Sequence, residues 1–236
     1  MGIKEQFDIR PIDYEDCKEW FLYKHYAHRI PSVSYCFGLY RDGILEGVCS
    51  FGHPMAMPLI KGAFGGEYQD CFYELNRLCV NDGLQRNVLS HFVGTCLKML
   101  PKPMVIVSYA DSSRNHHGYI YQATNWIYTG LSSPFMDYMV RGYEDMHGAS
   151  IMDMVGRSDG KNGHIDKVKA LKEKFGAENV YQVERARKHR YFYLLGSKTE
   201  RRRMSQRLTY RSLPYPKGEN VRYDASYEVH PQGVLF

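Results

Sequence analysis

The chain has 236 residues, 44% hydrophobic and 24% charged, enough to bury a sizeable core in one large domain or in a domain with an appended piece. It holds no run of 18 apolar residues, and charges and a proline fall in its first twenty. These features argue against a transmembrane span and a signal peptide, and predict a cytoplasmic protein. Six cysteines without a CxxC spacing exclude a zinc ribbon and predict reduced thiols. The net charge of +5 is uneven: residues 185–211 hold ten Lys/Arg and one acid, against 21 basic and 25 acidic groups elsewhere.

In chain order, the N-terminal FDIRPID predicts a strand, and Tyr14 to Tyr26 an amphipathic helix started by Asp13. Ser34–Leu39 and Ile44–Phe51 flank Asp42-Gly43, a strong hairpin signal. Residues 54–70, rich in Gly, Pro and Met, predict an irregular loop of the kind that serves as a lid. Phe72 to Val80 is a strand with polar groups embedded in it, and Asn87 to Leu100 a helix stopped by Pro101. The apolar run Met104 to Val107 ends in Ser108, Tyr109 and Asp111. A His-rich turn follows, then a helical segment with Tyr121, then Asn125-Trp126 and a short strand. Further on, Met136–Arg141 reads as a strand, 156–163 as a turn-rich loop and Ile165–Phe175 as a helix ended by Gly176. Asn179–Glu184 and Arg190–Leu195 read as two last strands. Residues 197–211 read as a basic helix and 212–236 as an extended tail.

Mixed hairpins and crossover units predict an α/β (α+β) fold, a mixed central sheet flanked by helices. The element order is similar to that of the GNAT acyltransferases. The expected division is a catalytic domain over 1–196 and a basic, then Pro/Tyr-rich extension over 197–236.

A strand that stops on polar side chains and hands over to a loop and helix is how α/β folds place reactive groups at a cleft. Ser108, Tyr109 and Asp111 leave the strand there, although Asp111 also suits a helix cap or an Asx-turn. Gly118 would allow close approach at the helix start. On the preceding strand Glu74 and Asn76 share one face and Arg77 takes the other. A glutamate on a central strand is costly to bury unless it is paired or used, which makes Glu74 a candidate base. His53, His117 and Asp111 together would suit a non-haem iron. In the GNAT resemblance, IYQATNW looks like the segment whose tyrosine, here Tyr121, protonates the leaving group. The coenzyme A turn would fall at GLQRNVLSHF, where Gln85 and Arg86 are present but the glycines are not. Their absence argues against acetyl-CoA as the donor.

Four ordered blocks, YELNRLCV, SYADSSRNHHGYIYQATNWIYTG, RKHRYFYLLG and PYPKG, resemble the phage Mom family of DNA adenine-modification proteins over roughly residues 35–218. The resemblance implies an enzyme converting adenine in duplex DNA to N6-(carbamoylmethyl)adenine, which protects phage DNA from restriction, and an iron requirement. It implicates Glu74, Asn76, Arg77, Ser108, Tyr109, Asp111, His117, Gly118 and Tyr121. On this reading Glu74 or Asp111 is the base, Tyr121 or Tyr109 serves the leaving group, and Asn76 and Ser108 orient substrate. A tyrosine or Trp126 would stack on a flipped base, while Arg185, Arg187, Lys188, Arg190 and Arg201, Arg202 and Arg203 would grip phosphates. The partners are double-stranded DNA and a small-molecule donor of unknown identity, with no membrane. The alternatives are a GNAT acetyltransferase acting on a protein or small-molecule amine, and a non-catalytic DNA-binding protein of the same fold.

Overall fold

The structure, a computed structural model, describes residues 2–54, 57–146, 148–156 and 166–218. It divides into two compact units, residues 1–131 with 188–236 and residues 132–187. The single body expected through residue 196 is therefore interrupted by an insert, after which the chain returns to the main sheet.

The first unit begins with α1 (Ile3–Gln6), β1 (Asp8–Pro11) and α2 (Tyr14–Glu19). The helix expected to reach Tyr26 widens into a π-helical turn over Trp20–Lys24. It ends at His25, whose extended backbone leaves His25 and Tyr26 beyond the helix. The hairpin strands β2 (Tyr35–Arg41) and β3 (Ile44–Gly52) follow. Asp42 and Gly43 both take positive φ between them (52° and 82°), as a two-residue hairpin turn demands. The expected lid instead contains α3 (Met57–Phe64), whose Ile60, Ala63 and Phe64 are buried. Apolar residues at helical spacing outweighed the glycines that had suggested a loop. Then come β4 (Phe72–Val80), α4 (Val88–Met99), β5 (Met104–Asp111), α5 (Tyr119–Ala123) and β6 (Ile127–Leu131).

The insert contains β7 (Phe135–Val140), α6 (Gly148–Asp153), α7 (Lys167–Phe175) and β8 (Val180–Arg185). β7 and β8 form a two-stranded antiparallel sheet, and Val140, Ile151 and Leu171 centre a small core. No apolar periodicity in the sequence marks α6, and most of the expected 156–163 loop lies outside the described residues. The chain then returns as β9 (Lys188–Leu195) and α8 (Lys198–Arg207). Among the described residues no helix is long and apolar enough to cross a membrane.

The main sheet runs β1-β2-β3-β4-β5-β9-β6, and every neighbouring pair is antiparallel except β4–β5. That parallel pair joins only Phe72 to Val105, Tyr73 to Ile106 and Glu74 to Val107. Beyond Glu74, β4 stays with β3 as far as Val80 and β5 stays with β9 as far as Asp111, so the sheet forks. This is the mixed sheet with flanking helices expected from the element order.

Alternation along β5 assigns the two faces. Met104, Ile106 and Ala110 join a large core with Phe92, Val93 and Leu97 of α4. Val105 and Val107 join Phe192, residues of α3 and Met204 of α8 on the opposite face. On that second face Cys17, Trp20, Phe21, Val48 and Cys79 form a separate cluster under α2 and the π turn. Polar side chains occupy the ground between these two clusters, at the mouth of the fork.

Candidate active site

Glu74 is the last β4 residue paired with β5, and it shares the face of Phe72, Val105 and Val107. Tyr109 and Asp111 follow on the same face of β5, directly opposite Arg190 and Lys188 of β9. Burial pushes the Glu74 carboxyl up to about 7, held from rising further by the charges of Arg77 and Lys188. This residue is therefore poised between its two protonation states near neutrality.

Asp111 has different surroundings. Its Oδ1 accepts hydrogen bonds from the Ser113 amide (3.0 Å) and the Ser113 hydroxyl (2.6 Å), and Lys188 Nζ lies 3.5 Å from Oδ2. Burial opposes the charge, but these partners outweigh it and bring the carboxyl below its usual range. Asp111 is thus an ionised turn cap, the structural role left open for it by the sequence.

Two residues with no flag in the sequence border the same ground. His25 and Tyr26 stack at 4.4 Å, and Tyr26 meets the His116 ring edge-on at 6.4 Å. Burial, helped by the Asp111 charge, pushes the Tyr26 hydroxyl up to about 12. Burial and then Arg77 hold His25 well below the usual imidazole range, and its Nδ1 accepts from the Ala27 amide, so the neutral ring carries its proton on Nε2. The only sequence sign of this pair was the end of a helical pattern.

Asn76 and Arg77 secure the segment that follows this pair. Asn76 accepts from Ser50 Oγ (2.8 Å) and donates to the Ser32 carbonyl (2.7 Å). Arg77 donates to the Arg29 carbonyl through Nη2 (2.9 Å) and Nε (3.3 Å), and to the Asn76 carbonyl (2.7 Å). A Cβ on Gly52 would fall 1.8 Å from the Ser32 oxygen, so only glycine lets this segment lie on the sheet. The substrate contacts expected of Asn76 and Arg77 give way to contacts that hold backbone.

Ser108 and Tyr121 lie on the α4 face. Ser108 Oγ is 2.7 Å from the Leu75 carbonyl and 2.7 Å from the Tyr121 hydroxyl. The carbonyl can only accept and a serine has one proton, so Ser108 donates to Leu75 and Tyr121 donates to Ser108. Together they close the carbonyl that the β4–β5 ladder abandons at the fork. Burial raises the Tyr121 hydroxyl above its ordinary range, and Tyr26 and Glu74 add to this through the fork. Gly118 has φ +73°, and a Cβ there would lie 2.4 Å from the Tyr191 ring, so the close approach it permits is by Tyr191. The Tyr191 hydroxyl donates to the His117 carbonyl, which also accepts from Gln122 (2.9 Å).

Several expected contacts are corrected. Trp126 is 1% exposed and packs on Tyr121 and Tyr193, so it offers no surface to a base. The exposed His53 packs at a tilt against Tyr73, His117 faces His189, and Asp111 caps its turn. Among the described residues no three His, Cys, Asp or Glu side chains converge as a metal-ligand set. The residues present therefore do not fit the iron proposed at His53, His117 and Asp111. The basic run is also dispersed. Arg185 pairs with Asp137, Arg187 donates to the Ser132 carbonyl, and Lys188 pairs with Asp111. Arg190 is buried, with its guanidinium 3.6 Å from the Tyr210 ring centroid and donating to Thr129. Arg201, Arg202 and Arg203 remain exposed on α8.

A mixed sheet opened at one parallel pair, with flanking helices and a carboxyl of raised pKa at the fork, makes this a mixed α/β protein with a candidate acid–base site. The chain belongs to the Mom protein family, which matches residues 6–217. It is similar to the methylcarbamoylase Mom of Escherichia phage Mu, with 25% identity over 202 residues that cover 82% of this chain and 77% of that protein. Among solved structures it is similar to an N-acetyltransferase from Staphylococcus aureus Mu50 (TM-score 0.42, 11% identity, 80% of this chain and 98% of that one). A GNAT acetyltransferase from Elizabethkingia anophelis with acetyl-CoA bound gives a TM-score of 0.39 at 9% identity, over 81% of this chain and 99% of that one.

Proposed function

We propose that this protein is a DNA-modifying transferase that converts adenine in duplex DNA to N6-(carbamoylmethyl)adenine and so protects phage DNA from restriction. Family membership across residues 6–217 supports the reaction class. The observation that carries the chemistry is the Glu74 carboxyl, held near 7 at the mouth of the fork.

The adenine N6 lone pair is delocalised into the ring, so the amine is a weak nucleophile. In the proposed step a bond forms between N6 and the methylene carbon of the carbamoylmethyl group. The bond from that carbon to the donor's leaving group breaks, and the leaving group keeps the electron pair. Glu74 takes the N6 proton, and its pKa near the operating pH suits a general base. The half-buried Tyr109 and Tyr26 border the same ground, and their raised hydroxyl pKa values keep them protonated donors at neutral pH. An adenine within a duplex must leave the stack to reach such a site, and the stacked His25–Tyr26 pair offers it an aromatic face in place of Trp126.

Expression in a bacterium, followed by mass spectrometry of the digested DNA nucleosides, tests this reading. A deoxyadenosine heavier by one carbamoylmethyl group is expected from the wild-type chain and not from Glu74→Gln at equal soluble yield. Unmodified DNA from cells containing soluble wild-type protein would sink the proposal.

A further inference from the structure

The exposed positive charge of residues 185–211 is concentrated on α8. α8 carries Lys198, Arg201, Arg202, Arg203 and Arg207, and buries only Met204. Its one acid, Glu200, closes the capping box by accepting from the Ser197 amide (2.6 Å). Arg207 pairs with Glu67 (3.1 Å), and the other four basic side chains of α8 are exposed.

These charges stand where they weaken the helix. Lys198 and Arg202 are four residues apart, as are Arg203 and Arg207, and like charges at that spacing repel. Lys198 and Arg201 also lie in the first half of the helix, against the positive end of its dipole. A short helix with one buried side chain gains little from the core to offset this. A polyanion beside the helix would relieve both kinds of repulsion.

The charge continues past the helix. The segment 208–218 straps across the sheet, with the Thr209 amide donating to Ala63, the Leu213 amide to Tyr128 and the Tyr215 hydroxyl to Trp126. The Pro216 carbonyl accepts from Gln122, and a Cβ on Gly218 would touch His117. Arg211 and Lys217 are exposed along this strap, which ends at the turn leading into α5 and Tyr121. The exposed charge therefore runs from α8 toward the fork.

We propose that α8 and the basic residues of this strap form the track that binds the phosphates of duplex DNA and delivers the target base to the fork. The choice of duplex DNA over other polyanions rests on the function proposed above; the location of the track rests on α8 and the strap. Phosphate contacts give affinity that falls with salt, each adding roughly 0.9 to the log–log slope.

The test measures fluorescence anisotropy of a labelled duplex across a salt series, using full-length protein. Three chains are compared: wild type, the triple variant Arg201→Gln/Arg202→Gln/Arg203→Gln, and a charge-matched control Lys169→Gln/Lys172→Gln/Lys174→Gln on α7. The α8 triple is expected to lose at least tenfold in affinity at low salt and to flatten the slope by roughly 2–3, with the control unchanged. It is also expected to melt higher than wild type at low salt, which shows that it folds. An unchanged slope in the α8 triple, an equal loss in both triples, or tighter wild-type binding to anionic vesicles or RNA than to duplex DNA would overturn the track. Salt-dependent duplex binding without any modified adenine in cells would remove the proposed reaction and leave the track standing.

Discussion

Glu74 sits where two requirements oppose each other. A carboxyl pushed up to about 7 holds its proton more tightly in the folded chain than in the unfolded one, where its value is near 4.5. Between those values the folded state binds more protons, so Glu74 subtracts stability as pH rises from about 4.5 to about 7, and the loss levels off above that. Glu74→Gln removes this penalty, and at pH 8 the variant should be more stable than wild type by on the order of 3 kcal/mol at most, with the difference closing toward pH 4. Urea denaturation at both pH values reads the effect. Modification by the wild type should rise with pH along a single limb with a midpoint near 7, because the base must be ionised; a flat profile from pH 5.5 to 8.5 would remove Glu74 from that role. At Ser108 the expectation is purely structural. Ser108→Ala leaves the Leu75 carbonyl without its partner at the fork and the buried Tyr121 hydroxyl without its acceptor, and should cost about 1–3 kcal/mol. Glu74 was legible in the sequence, since an acid within an apolar strand needs a reason. Asp111 was legible as a choice between two roles, and its register opposite Lys188 decides for the cap. His25 and Tyr26 were not legible, because what brings them to the fork is contact between distant segments.

At the scale of elements, local pattern carried most of the assignment. The Asp42-Gly43 hairpin, β4, β5 and α4 fall where alternation, turn chemistry and helical spacing put them. The failures have physical causes. α3 was obscured by glycines that flank its apolar face. The N-terminal helix stops short of Tyr26 because it widens into a π turn, a local geometry that periodicity does not register. The short α5 depends on one backbone position. Gly118 combines positive φ with a Tyr191 ring where a Cβ would stand, so Gly118→Ala should lower stability by roughly 1–3 kcal/mol and shift the environment of Tyr121. Near-ultraviolet circular dichroism and a thermal melt report both, and a native melt with an unchanged tyrosine signal would refute this account of the turn.

At the scale of the whole molecule, charge was legible as a total and misleading as a map. The basic run proved to be several separate things: an ion pair in the insert, a cap partner, a buried stacking arginine and one exposed helix. Strand pairing sorts these: Arg185 ends β8 beside Asp137 of β7, while Lys188 and Arg190 share one face of β9 and meet Asp111 and Tyr109 of β5. The C-terminal strap holds the first unit together through Tyr210 on Phe192 and Arg190, and through Tyr215 on Tyr191 and the Trp126 carbonyl. A chain ending at Leu208 should lose several kcal/mol of stability through the apolar surface it uncovers, and calorimetry against the full chain measures that loss.

The position of β9 also fixes an order of assembly. This strand lies between β5 and β6, both of which precede it in the chain, and the entire insert separates it from them. During synthesis β5 and β6 therefore emerge with a gap between them that stays open until residues 188–195 arrive. Asp111 meets Lys188, and Tyr109 meets Arg190, only when that last strand slides in. The entropy of closing so long a loop falls if the insert has already collapsed on its own small core. A collapsed insert shortens the effective loop between β6 and β9, and until β9 arrives Asp111 and Tyr109 lack the basic residues that face them.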